Sequence, residues 1–156
     1  MPTGSRVTWS AIILAAGEGT RMKSSRPKVL HEIAGRALVS WVVQTALDAG
    51  ASRCLVVVGH RGDEVERELV ARFADRIAIV HQPERRGTGD AVRCVIEADQ
   101  TLQGRQIVLY GDCPLIPVTL LRDLLEHSEQ TGADLALVTA HLSDPTGYGR
   151  IVRNGA

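Results

Sequence analysis

Aromatic residues make up only 3% of the chain, too few for the stacking platforms with which proteins hold single-stranded nucleic acid. Neither charge sign is in excess: 18 Lys and Arg balance 18 Asp and Glu. The basic surplus of proteins that bind nucleic acid or anionic membranes is therefore missing. Cysteine is scarce. Cys54, Cys94 and Cys113 form an odd set with no Cys-x-x-Cys pair, which argues against a disulfide framework and against structural zinc. No apolar run near residues 1–10 is long enough for a secretory signal or a membrane span, so a reducing, cytoplasmic compartment is expected. The five histidines (His31, His60, His81, His127 and His141) lack metal-ligand spacing and read as structural or solvated.

What is present is an ordinary globular composition, 44% hydrophobic over 156 residues, enough for one domain with a real core. Apolar β-type runs alternate with segments of helical period. Strands are expected over 8–14, 54–58, 76–80, 106–110 and 134–142, with another opening at 150–153. Helices are expected over 37–49 (stopped by Gly50), 63–73, 89–98 (capped by Thr88) and 118–130. This alternation predicts an α/β fold: a mostly parallel central sheet with helices on both faces and ligand loops at the carboxyl ends of the strands.

Three places carry chemistry. The apolar run 11–16 breaks into a loop with Gly17 and Gly19, followed by Arg21 and, seven residues on, Lys28. Glycine lets main-chain N–H groups approach an anion, and the two cations neutralise it from the side, so the loop reads as a phosphate cradle. It is neither the dinucleotide fingerprint, which needs a glycine where Met22 stands, nor a P-loop. A solvated turn with two surface cations is the competing reading. Asp112, after the strand at 106–110, suits Mg²⁺, which prefers oxygen ligands and arrives with substrate phosphates; a turn cap is its alternative. Gln82 carries an amide able to read a base edge, against a plain solvated loop position. Gly147-Tyr148-Gly149 could let backbone approach a sugar, or be a simple turn, and Cys113 reads as a small buried side chain rather than a nucleophile.

Taken in order, the segment from Leu14 to Met22 (Leu-Ala-Ala-Gly-Glu-Gly-Thr-Arg-Met), Pro27-Lys28-Val29-Leu30-His31, Gln82, Gly87-Thr88-Gly89, Tyr110-Gly111-Asp112-x-Pro114-Leu115-Ile116 and the stretch from Asp144 to Arg150 resemble the uridyltransferase domain of bacterial N-acetylglucosamine-1-phosphate uridyltransferases. The resemblance runs from about Ala11 to the C-terminus. It implies a Rossmann-like nucleotide-diphospho-sugar transferase fold. It also implies a magnesium-dependent reaction of UTP with N-acetylglucosamine 1-phosphate to UDP-N-acetylglucosamine and pyrophosphate, which feeds cell-wall peptidoglycan and lipopolysaccharide synthesis and so cell shape. On that basis Leu14, Ala15, Ala16, Gly17, Gln82, Gly87 and Thr88 would hold uridine, and Arg21 and Lys28 the phosphates. Tyr110, Gly111 and Asp112 would line the nucleotide site, with Asp112 on Mg²⁺, and Gly149 would touch the amino sugar.

The chain departs from the family at Asp90, where members often carry histidine. The family's domain also continues past Ala156, with a glutamate, two asparagines and more sheet. Its C-terminal left-handed β-helix, which carries acetyl transfer and trimer contacts, is expected to be absent. Residues 1–156 then read as the N-terminal part of a single nucleotidyltransferase domain. A UTP-binding module without turnover, and a related sugar-1-phosphate nucleotidyltransferase, are the rival expectations.

Overall fold

The run Ala11-Ile12-Ile13 has no polar face, so its stable seat is the middle of a sheet covered on both sides. The computed structural model describes residues 8–17, 19, 22, 24–59, 61–84 and 86–153 and puts the run there. In chain order the elements begin with β1 (Trp9–Leu14), a hairpin of β2 (Glu32–Ile33) and β3 (Arg36–Ala37), and α1 (Leu38–Ala49). There follow β4 (Cys54–Val58), α2 (Gly62–Phe73), β5 (Ile77–His81), α3 (Thr88–Ala98), β6 (Arg105–Tyr110) and α4 (Val118–Thr131). The main sheet has the order β5-β4-β1-β6, every pair parallel.

That order means the chain steps outward from β1 through β4 to β5, then returns to the other side of β1 for β6. Right-handed crossovers put α1 and α2 on one face and α3 on the other. Side chains agree. Ser40 on α1 donates to Glu68 on α2 at 3.0 Å, and the Cys54 thiol lies 4.0 Å from the Val43 carbonyl of α1. On the opposite face Ile12, Leu55, Val57 and Val80 pack with Ala91 and Val95 of α3. Helices therefore cover both faces, as the alternation of elements predicts.

Each helix buries one stripe. α1 buries Leu38, Val39, Ser40, Val42, Val43, Ala46 and Ala49, with Trp41 and Thr45 half-buried. Gly50 ends it, its N–H on the Ala46 and Leu47 carbonyls. In α2, Val65, Leu69 and Phe73 are buried and Val70 is exposed.

The structure corrects several expectations. α3 starts at Thr88, so its cap is Gly87 rather than Thr88; Gly87 has φ 99°, a left-handed conformation that favours glycine there. β6 is an edge strand of this sheet, so Val108 is 44% exposed while Ile107 and Leu109 are buried. Cys113 is exposed, not buried.

Two compact units divide the chain, residues 1–122 and 123–156. The second holds the C-terminal part of α4, where Ser128 pairs with Ala133, and a chain with no strand among its described residues. The strands expected at 134–142 and 150–153 are thus not formed, although Leu135, Leu137, Val138 and Val152 have β character and are exposed. A strand exists only when a partner satisfies its N–H and C=O groups, and side-chain type cannot supply that partner. Here the chain makes local turns instead: Asp144 accepts from Thr146, and Arg150 donates to the Pro145 carbonyl at 2.9 Å.

Burial grades the consequences of mutation. Leu55→Ala should cost about 3 kcal/mol of unfolding free energy by urea titration, and Val108→Ala under about 1 kcal/mol. The fully buried Cys54 thiol, its pKa pushed up to about 12 by burial against the opposing charge of Arg76, should resist thiol reagents until unfolding, while Cys113 reacts in the native protein.

Candidate functional site

Main-chain bonding outlasts the strands and fixes the loops that leave them. Ala15 donates to the Val57 carbonyl at 2.8 Å, Gln82 to Val58 at 2.8 Å and Gly111 to Leu14 at 2.9 Å. Three loops therefore start at one level on the carboxyl edge of the sheet. Between β1 and β6 the strand order reverses, so their loops part and leave a crevice, the usual ligand position in open α/β sheets.

A cavity of about 480 Å³ opens there. It is lined by nine of the residues singled out in the sequence: Leu14, Ala16, Gly17, Lys28, Gln82, Gly87, Thr88, Tyr110 and Asp112. Ala15 and Gly111 do not line it. Strand alternation turns Ala15 to the opposite face, onto a neighbouring cleft with Arg26 and Gly59. Gly111 packs its backbone against Leu14, where an added Cβ would lie 3.1 Å from the Leu14 carbonyl oxygen. Arg21 and His60 lie outside the described residues. Gly149 belongs to the second unit, in an exposed turn. Gly19, which the sequence places in the phosphate loop, also lines the cavity, as do Met22, Val29 and Ala91, to which sequence reasoning gave no role of their own. For Val29 and Ala91 the only signal was position, one residue past Lys28 and one turn into α3.

Lys28 and Asp112, 84 residues apart, meet in an ion pair at the cavity wall. The glycine loop permits the approach. Gly19 has φ 63°, and a Cβ there would lie 2.5 Å from Lys28 Cβ, so only glycine fits. Burial alone would raise the Asp112 pKa. The Lys28 hydrogen bond and charge, with smaller help from its own backbone and Cys113, outweigh it and hold the carboxyl below its ordinary range. Among the described residues nothing lies within 4 Å of a Cβ built on Gly17.

Gln82, one reading of which was a solvated loop residue, is instead 6% exposed. Its Nε2 donates to Asp90 Oδ2 at 2.7 Å and to the Gly87 carbonyl at 3.3 Å. Asp90 also accepts from Arg93 at 2.5 Å. The Asp90 carboxyl is held low by the Gln82 bond first and Arg93 second. His31 Nε2 is buried without a partner among the described residues. No group of three ligating side chains gathers among the described residues, and no helix there is long and apolar enough to cross a membrane.

A parallel sheet whose glycine loop, cation and carboxylate meet at its switch point is the architecture of nucleotide-handling transferases. Residues 11–152 match the MobA-like NTP transferase domain, and the chain belongs to that family. Among solved structures it is similar to a nucleotidyl transferase from Methanothermobacter thermautotroptrophicus, at 26% identity and TM-score 0.66, covering 79% of this chain and 58% of that one. Among curated proteins it is similar to the bifunctional protein GlmU of Sorangium cellulosum (strain So ce56), 47% identical over 151 residues, 94% of this chain and 32% of that protein. GlmU of Trichlorobacter lovleyi is 44% identical over 145 residues, 93% of this chain and 31% of that protein. The chain thus spans about a third of the length of these relatives. The uridyltransferase resemblance read from the motifs agrees with them.

The Lys28–Asp112 pair is testable by titration. In Lys28→Ala the burial of Asp112 is opposed only by its own backbone and Cys113, so its pKa should rise from its depressed native position, read by carboxyl-carbon NMR. In the native chain this carboxylate's contribution to stability should be present above the ordinary value of about 3.9 and lost as pH falls through the lower folded pKa.

Proposed function

We propose that this chain carries a nucleotidyl-transfer site of the UDP-N-acetylglucosamine-forming type, taking UTP and N-acetylglucosamine 1-phosphate and releasing pyrophosphate. The observation that carries this reading is the single cavity joining the main chain at Gly17, the buried amide of Gln82 and the Lys28–Asp112 pair. Uridine would lie against Leu14, Ala16 and Gly17, with Ala15 contributing no more than main chain, and with Gln82, Gly87 and Thr88 at the base. Tyr110 would border the nucleotide, with the Gly111 backbone packed behind it against Leu14. The product would serve peptidoglycan and lipopolysaccharide precursors, and so cell shape, in the cytoplasm.

Lys28, joined by Arg21, would neutralise the phosphates; its donors turn from Asp112 to phosphate oxygens as the nucleotide enters. Asp112 is one carboxylate, and Mg²⁺ is commonly bound by one or two carboxylates together with substrate phosphates and water, so this residue fits the ion. When bound, Mg²⁺ would supply further neutralisation of the triphosphate. The chemistry needs no protein nucleophile. An oxygen of the sugar phosphate attacks the α-phosphorus, that P–O bond forms, the bond to the β-phosphate breaks, and pyrophosphate leaves with the electron pair. Positioning and charge neutralisation lower the barrier.

UTP with Mg²⁺ should raise the thermal midpoint, by the equivalent of about 2.7 kcal/mol at a hundredfold excess over Kd. Lys28→Ala should abolish most of that rise. Pyrophosphate release with N-acetylglucosamine 1-phosphate tests turnover, and binding without release would make the chain a nucleotide-binding module. Absence of any UTP effect, with Lys28→Ala silent, would refute the reading.

A further inference from the structure

Gln82 has its hydrogen-bonding sense decided before any ligand arrives. A side-chain amide has two N–H donors at one end and a carbonyl acceptor at the other. Here one end faces the Asp90 carboxylate and the Gly87 carbonyl, both of which can only accept. The nitrogen must take that side, and both of its protons are then spent. Among the described residues nothing donates to Oε1, and Gln82 lines the cavity. What Gln82 offers a ligand is therefore an acceptor.

Asp90 does not line that cavity. It lies on the neighbouring cleft with Arg86 and Arg93, fastened by Arg93 at 2.5 Å. Its anionic form, favoured by the bonds from Gln82 and Arg93, cannot donate and so cannot tolerate the flipped amide.

We propose that Asp90 is a positioning residue that sets base selectivity without touching the base: it locks Gln82 as an acceptor, so that Oε1, set against ring position 3, takes the imide N–H of uracil and disfavours cytosine, whose N3 is itself an acceptor and whose 4-amino group reaches Oε1 only if the base shifts. This rests on the nucleotide-transfer reading above. Without Asp90 only the longer bond to the Gly87 carbonyl opposes the flip, so the turned amide, which offers an N–H to cytosine, becomes less costly.

The test is calorimetric titration of the 156-residue chain with UTP, CTP and inorganic tripolyphosphate, each with Mg²⁺. The native chain should prefer UTP to CTP about tenfold or more, the scale of one mismatched buried hydrogen bond. In Asp90→Ala that ratio should fall severalfold, to the bias left by the Gly87 carbonyl, while tripolyphosphate affinity stays unchanged. Asp90→Asn, which keeps one neutral acceptor and nearly the same shape, should give an intermediate ratio. A merely structural role would weaken UTP and CTP together and leave their ratio intact, which would overturn the proposal. A native chain that prefers UTP, with the ratio unchanged in both variants, overturns this inference alone. A native chain that takes up neither UTP nor tripolyphosphate overturns the nucleotide reading and the inference with it.

Discussion

The parallel pairing of β1 with β4 on one side and β6 on the other is the constraint from which the site follows. Ala11 pairs with Cys54 and Ile107, and Leu14 with Val57 and Tyr110, so the three strands end within one residue of the same level. The ladder then carries on through Ala15, Gln82 and Gly111. A one-residue slip of β1 would exchange its two faces, turning Ile12 away from the α3 core and Leu14 and Ala16 out of the cavity wall.

Stability and chemistry are held by different forces here. The core is apolar, with Ile12, Leu55 and Val57 almost without solvent contact, and it needs no ligand. The site is polar and half-open. The Lys28–Asp112 pair is a partly exposed ion pair, a class worth about 1 kcal/mol or less. Such a pair can give way to phosphate and a cation without threatening the fold. The Asp90–Gln82 contact differs in kind. It rests on a buried amide and on a carboxylate fixed by Arg93, so it holds a direction rather than a charge.

Much of this was legible in the residues. The strand at 54–58 was found with its bounds intact, because five consecutive buried β-type residues admit no other reading between turn signals. The glycine loop and the separated Lys28, Gln82 and Asp112 were recognised by residue type and by their places after strands, and nine of the named positions do line one cavity. The failures share a cause. Residues 134–142 look like a strand, yet a strand is a property of a pair, and the chain provides no partner for it among the described residues. Cys113 reads as a small buried side chain, and the apolar run at 107–109 does not show that Val108 is exposed. Both exposures depend on what covers β6 and its following turn, which is information about neighbours.

The amino-acid sequence by itself determined the periods, the breaks and the chemical types: which runs had to be buried, where the chain had to turn, and which groups could meet an anion. Periodicity is local, and it survives in a single string. Tertiary structure alone decided which distant groups touch. Nothing in the spacing of Lys28 and Asp112 joins them, and nothing near Gln82 says that both its protons are taken by Asp90 and Gly87. Those pairings depend on sheet order and on the angle at which α3 leaves its loop, and both are settled by packing of the whole core rather than by any one segment.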